Sequence, residues 1–269
     1  MSDTEPIIRL KNVTKAFDSR VVLNAVNLNI APGKITVIIG PSGCGKSVTL
    51  KHIVSLIRPD KGKVYFEENE VSAMSERELV PIRRQIGFLF QGAALFDSMT
   101  VEENICFPMI EGNGHSLDVA RQRCQEVLRV VGLDGAQQKF PEEMSGGEKK
   151  RVALARAIVL NPKVILYDEP TTGLDPIRAD LINELILKLK NTLGNTALVV
   201  THDMQSTRKI ADRVVMLYQG RFIADMTPDH LGDVDNEIVA RFVEGRASEE
   251  ELAQLRTGRL ESFNDGPET

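Results

Sequence analysis

Apolar positions along this chain fall into two rhythms. Unbroken or nearly unbroken apolar runs at 35–39, 86–90, 164–167 and 197–200 have the length and continuity of strands covered on both faces, as in a parallel sheet. Residues 7–30 alternate instead, which predicts antiparallel strands at 7–13 and 25–30. Helical spacing takes over elsewhere. Ser75-Glu76-Arg77-Glu78 is a capping box opening a helix toward Arg84. Within 117–131, Ala120, Cys124, Val127, Leu128 and Val131 recur at helical intervals and Gly132 closes the segment. The sheet is expected to resume at 163–168, 196–201 and 213–218, the last turning through Gln219-Gly220 into 221–224. The pattern predicts an α/β fold with a mainly parallel sheet core, an antiparallel β subdomain and a helical insert at about 100–160. No internal repeat is visible.

Two glycine-rich segments stand at predicted helix starts. Gly40-Pro41-Ser42-Gly43-Cys44-Gly45-Lys46-Ser47 follows the 35–39 run and precedes a helical stretch beginning at Val48. This is the P-loop pattern: glycines let successive backbone N–H groups face phosphates, Lys46 supplies a point charge, and the Ser47 hydroxyl completes a magnesium shell. The second segment, Ser145-Gly146-Gly147-Glu148, opens the stretch 149–160. A helix N-terminus leaves N–H groups unpaired and carries partial positive charge, so each segment is an anion cradle. One nucleotide needs one such cradle, and two in one chain suggest that two copies share their nucleotides.

The run at 164–167 ends in Asp168-Glu169-Pro170. Ligands of open α/β sheets collect beyond the carboxyl ends of the strands, which directs these acids toward the P-loop. Asp168 reads as the magnesium holder, directly or through water, and Glu169 as the base that polarises the attacking water.

Gln91 closes the 86–90 run, Thr172-Gly173-Leu174-Asp175 follows Glu169, and His202 follows the strand at 196–201. Alone none is specific. In this order they resemble the ATP-binding subunit of an ABC transporter along about residues 7–244, with 245–269 as a C-terminal extension. The resemblance implies an ABC-type P-loop NTPase cassette that uses ATP and Mg2+. It makes Gln91 a Q-loop residue near the metal and the reaction, 144–148 the signature, 164–169 the Walker B strand, 172–175 the D-loop and His202 the catalytic switch. Phe17 stands where the family places an aromatic on adenine; a core aromatic of the β subdomain is the alternative. Nucleotide contacts are then expected from Phe17, from 40–48 and, across a head-to-tail pair of copies, from Ser145, Gly146, Gly147 and Glu148. Met144 replaces the usual Leu and Glu148 the usual Gln, both mild departures.

Composition narrows the partners. The 269 residues carry a net charge of −5 without a basic stripe, and there is no Trp, so nucleic acid is not an expected partner. Cys44, Cys106 and Cys124 form no close pair or metal spacing in sequence and read as reduced thiols, with Cys106 and Cys124 packed and Cys44 activated as thiolate by Lys46 and the loop N–H groups. No exported leader and no membrane-spanning run are expected, so transport would need a separate permease. Six acids against three bases in 245–269 make that stretch acidic. Ser248-Glu249-Glu250-Glu251 with Leu252 and Leu255 suggests a short helix, or else a frayed tail.

The stretch Gln91 to Val101 has small residues beside Leu95 and Phe96, and in this family it lines the groove that receives a permease helix. Together with 168–177 it resembles the ATPase of the Mla lipid-asymmetry system and its Mce-associated relatives. That implies a peripheral ATPase on the cytoplasmic face of the inner membrane, working with a permease and an Mce-type periplasmic lipid-binding protein on phospholipid or another hydrophobic molecule. The alternatives are a cell-division-type ABC ATPase regulating a membrane partner without transport, the ATPase of another importer, and a soluble ABC ATPase acting on ribosomes or DNA.

Overall fold

The structure, a computed structural model, describes residues 5–249 and 252–253. In chain order the elements are β1 Ile8–Phe17, β2 Arg20–Ile30, β3 Ile35–Ile39, α1 Lys46–Ile53, β4 Lys61–Phe66, β5 Asn69–Glu70, α2 Glu76–Arg83, β6 Ile86–Leu89, α3 Val101–Asn113, α4 Leu117–Val130, α5 Gly146–Ile158, β7 Val164–Asp168, α6 Pro176–Leu193, β8 Thr196–Val200, α7 Met204–Ile210, β9 Arg213–Tyr218, β10 Arg221–Met226 and α8 Glu237–Glu244.

Strands β10-β9-β3-β8-β7-β6 form the larger sheet, parallel throughout except for the antiparallel edge strand β10. Its inner strands bury both faces, and successive side chains enter different cores. Val37, Ile165, Val199 and Val214 pack with α3, α4, α5 and α6 on one side. Ile38, Leu166, Leu198 and Val215 pack on the other with α1, α2 and the second sheet. That second sheet, β2-β1-β4-β5, is antiparallel. The expected architecture is therefore present: a parallel core, an antiparallel β layer and the helices α3, α4 and α5 in place of the 100–160 insert.

The first hairpin is longer than the alternation predicts. Strands β1 and β2 continue to Phe17 and from Arg20, but register shifts at 10–16 interrupt the two-residue period. Asn12 and Ala25 adopt left-handed φ of 51° and 49° at these irregularities, as bulged strands do. The capping box at Ser75 is formed, its hydroxyl accepting from the Glu78 N–H while Glu78 Oε2 accepts from the Ser75 N–H. Most of the C-terminal stretch, including Glu250, Glu251 and Leu255, lies outside the described residues. No helix among the described residues is long and apolar enough to cross a membrane.

Candidate active site

Strand register gathers the motifs at one sheet edge. Ile38 pairs with Val200, Asp168 with Val200, and Leu89 with Tyr167. Gly40, Gln91, Glu169 and His202 therefore all follow the carboxyl ends of neighbouring parallel strands.

The P-loop turns from β3 into α1 on glycines whose positive φ disfavours any side chain. Gly40 has φ 150° and a Cβ there would meet Leu217 O at 2.1 Å; Gly45, φ 107°, caps α1, and a Cβ there would meet Leu23 Cδ2 of β2 at 2.8 Å. Lys46, buried, donates from Nζ to Gly40 O at 2.7 Å and Pro41 O at 3.0 Å. Its ammonium lies 3.7 Å from Glu169 Oε1. The Ser47 hydroxyl donates to Asp168 Oδ1 at 2.7 Å. Burial pushes the Asp168 carboxyl above the usual carboxylate range against the pull of that hydroxyl and of Lys51 and Lys46.

Glu169 stands past the end of β7 in a left-handed conformation, φ 48°. Its Oε2 accepts from Thr172 Oγ1 at 3.0 Å and lies 3.0 Å from His202 Nδ1. His202 is half-exposed. Lys46, Ser47, Asp168, Glu169 and His202 thus form one connected cluster. Gln91 is exposed at the same edge, and among the described residues no hydrogen bond ties its side chain to Ser47 or Asp168. Phe17 ends β1 and is 42% exposed, so its side chain is not enclosed in the core. The Lys15 ammonium sits over it at 5.3 Å.

The second cradle is a capped helix start. Ser145 caps α5, its hydroxyl accepting from the Glu148 N–H, and Glu148 Oε2 accepts from the Ser145 N–H at 2.9 Å. The box occupies those two N–H groups and leaves the Gly146 and Gly147 N–H groups outside it. The Ser145 hydroxyl, which also donates to Glu148 Oε2 at 2.7 Å, and then the Ser145 N–H hold the Glu148 carboxyl below its usual range.

The loop after β6 separates two residues that the sequence treats alike. Leu95 leans on the larger core, whereas Phe96 is 43% exposed. Asn104 of α3 clamps the loop, accepting from Phe96 N and donating to the carbonyls of Phe96, Met99 and Thr100. Arg156 of α5 donates to the carbonyls of Ala93 and Ala94, both in left-handed conformations. Neither clamp is signalled by a motif.

One expectation about the thiols is corrected, that for Cys44, while Cys106 and Cys124 are packed as expected. Cys44 is half-buried, and desolvation raises its thiol pKa in spite of Lys46 and the loop N–H groups. Cys106 and Cys124, distant in sequence, hydrogen-bond to each other where α3 packs on α4. Alkylation of Cys44 is accordingly expected to be slow at pH 7, to accelerate only above the ordinary thiol range, and to be suppressed by Mg-ATP; mass spectrometry of labelled peptides checks all three.

A family model described as ABC transporter matches residues 23–172. The probable ribonucleotide transport ATP-binding protein mkl of Mycobacterium leprae is 39% identical over 239 residues, 89% of this chain and 69% of that protein. The intermembrane phospholipid transport system ATP-binding protein MlaF of Haemophilus influenzae is 38% identical over 241 residues, 90% of this chain and 91% of that one. A solved dimeric ATP-binding cassette in a post-hydrolysis state, bound to ADP and Pi, superposes with a TM-score of 0.76 at 37% identity, covering 82% of this chain and 98% of that one.

Proposed function

The chain belongs to the ABC transporter family and is an ATPase, and from that premise we propose that it powers movement of phospholipid or another hydrophobic molecule between the inner membrane and the cell envelope. The observation that carries this reading is the near end-to-end match to the Haemophilus influenzae phospholipid transport ATPase. The mycobacterial relative, whose name gives ribonucleotide transport, is matched over a smaller share of its own length, and ribonucleotide transport is the second reading.

In the proposed mechanism two copies meet head to tail. The loop 40–47 and Val48 hold the phosphates of one ATP, Phe17 faces its adenine, and Ser145, Gly146, Gly147 and Glu148 of the other copy close over it. Ser47 and Asp168 suit a hard cation: a hydroxyl and a buried carboxylate at 2.7 Å are oxygen ligands in a site whose desolvated charge a cation would relieve. Mg2+ held there would neutralise charge on the phosphates, with Gln91 closing toward it. Glu169 accepts a proton from the attacking water while His202 and Thr172 orient its carboxylate. The remaining catalysis is positioning and charge stabilisation. The cassette would sit peripherally on the cytoplasmic face of the inner membrane, docked on permease subunits through 92–99, with an Mce-type periplasmic lipid-binding protein beyond them and no nucleic acid.

Purification of the complex from detergent-solubilised membranes tests the reading. Lipid mass spectrometry is expected to find bound phospholipid, and lipid vesicles to stimulate ATPase activity. Stimulation by nucleosides or nucleotides other than ATP, with no lipid bound, would transfer the assignment to the second reading.

Asp168→Asn separates stability from turnover. Because burial raises the folded-state pKa, the ionised carboxylate costs stability above the ordinary carboxylate range, and this cost disappears as pH falls through that range. The variant is expected to melt higher than wild type at pH 7 without nucleotide, on a scale of about 2–4 °C per kcal/mol. Calorimetry should show the gap closing in acid, while Mg-dependent hydrolysis is lost.

A further inference from the structure

Lys150 is a buried cation that the mechanism above does not use. It lies on α5, five residues beyond the Ser145 cap, and is 6% exposed. Among the described residues it forms no ion pair. Its Nζ instead donates to the backbone carbonyl of Glu169 at 3.0 Å. Burying an ammonium is costly unless it is hydrogen-bonded, so its placement against this carbonyl requires a reason. Desolvation pulls its pKa down, and the nearby carboxylates of Glu169 and Asp168 oppose that pull.

The carbonyl it meets belongs to a residue in an uncommon conformation. Glu169 is left-handed at φ 48°, where residues with a Cβ are disfavoured unless their surroundings hold them. Three backbone contacts hold it. Its N–H donates to Val200 O at 2.9 Å, its carbonyl accepts from Thr172 N at 3.3 Å, and the same carbonyl accepts from Lys150. The first two come from the sheet and the D-loop. Only Lys150 reaches in from the helix whose first turn is the second cradle.

We propose that Lys150 is a positioning residue that fixes the backbone of Glu169 and ties it to α5, so that the cradle offered to the partner copy's nucleotide and the base acting on the chain's own nucleotide move together. This rests on the head-to-tail reading above. Displacement of α5 when Ser145 and Gly147 engage a phosphate is passed through one rigid helical turn and one charge-assisted hydrogen bond to the catalytic carboxylate. The two ATP sites of a dimer are then linked through each chain as well as across the interface.

Steady-state ATPase kinetics of Lys150→Met and Lys150→Gln test this. Met removes the donor at similar length; Gln keeps an N–H donor without the charge. Lys150→Met is expected to lose at least tenfold in kcat with KM within twofold of wild type, and to lower the Hill coefficient for ATP toward one. Lys150→Gln is expected to recover kcat to within about threefold of wild type. In a Glu169→Gln background, Lys150→Met should still form the ATP-bound dimer. Turnover of Lys150→Met within twofold of wild type would overturn the proposal, as would a Gln variant as slow as Met or a loss of the trapped dimer with the Met change. If Lys150→Met does not fold, Lys150→Ala removes the donor and is read by the same outcomes. Failure of Glu169→Gln itself to dimerise with ATP would instead refute the head-to-tail reading.

Discussion

Glu169→Gln is expected to bind ATP with wild-type affinity and to hydrolyse it about 100-fold or more slowly, the scale at which a general base contributes. The substitution is nearly isosteric. A Gln side chain can still accept the Thr172 hydroxyl that lies 3.0 Å from Oε2 and can stay beside His202 Nδ1. What it cannot do is take a proton from water. It also removes the negative charge 3.7 Å from the Lys46 ammonium, which frees that ammonium for phosphate. Binding should therefore persist while turnover stops, and the ATP-bound form should accumulate as a dimer detectable by light scattering. Lys46→Ala makes the opposite change. Without the point charge of the P-loop, nucleotide binding or turnover should be lost and no trapped dimer should form with ATP. Hydrolysis by Glu169→Gln within a few-fold of wild type would remove Glu169 from the role of base.

These acids were legible in the sequence because the strands leading to them are buried on both faces. Such strands are written as unbroken apolar runs, and the polar residue that follows each run marks the carboxyl end of the sheet. The capping box at Ser75 was legible for an equally local reason, since both partners lie within four residues. Longer-range features were not. Helix α6 was missed because it is apolar on more than its buried face: Ile182, Ile186 and Leu189 enter the core, but Ile177 and Leu181 are exposed, which smears the period. Strand β4, Lys-Gly-Lys-Val-Tyr-Phe, is covered mainly at its end, so its first half reads as polar loop. The meeting of Cys106 with Cys124, and of Lys150 with the Glu169 carbonyl, depends on helix packing that no spacing encodes. Cys44 was misread because the motif shows the cations around the thiol but not its burial, which outweighs them.

Phe96→Glu is expected to abolish co-purification with the permease while leaving ATP binding and the fold of the isolated subunit intact. The choice of residue follows from the loop's construction. Leu95 packs on the core, so a charge there would confound folding with docking, whereas Phe96 presents an exposed ring. Asn104 grips the backbone at 96 from both sides, accepting from its N–H at 2.9 Å and donating to its carbonyl at 3.0 Å, independently of the side chain. Arg156 lies 5.8 Å from the ring, and its guanidinium already donates to the Ala93 and Ala94 carbonyls. A carboxylate at 96 would remain tolerable in water beside that cation. Covered by an apolar permease helix it would be desolvated, and a poorly compensated buried charge costs on the order of 3–5 kcal/mol, enough to weaken docking more than about 100-fold. Leu117→Glu is the control: that residue is 47% exposed at the start of α4, outside the 92–99 stretch in sequence, and its variant should still bring down the permease. A Phe96→Glu protein that co-purifies as wild type does would place the docking surface elsewhere.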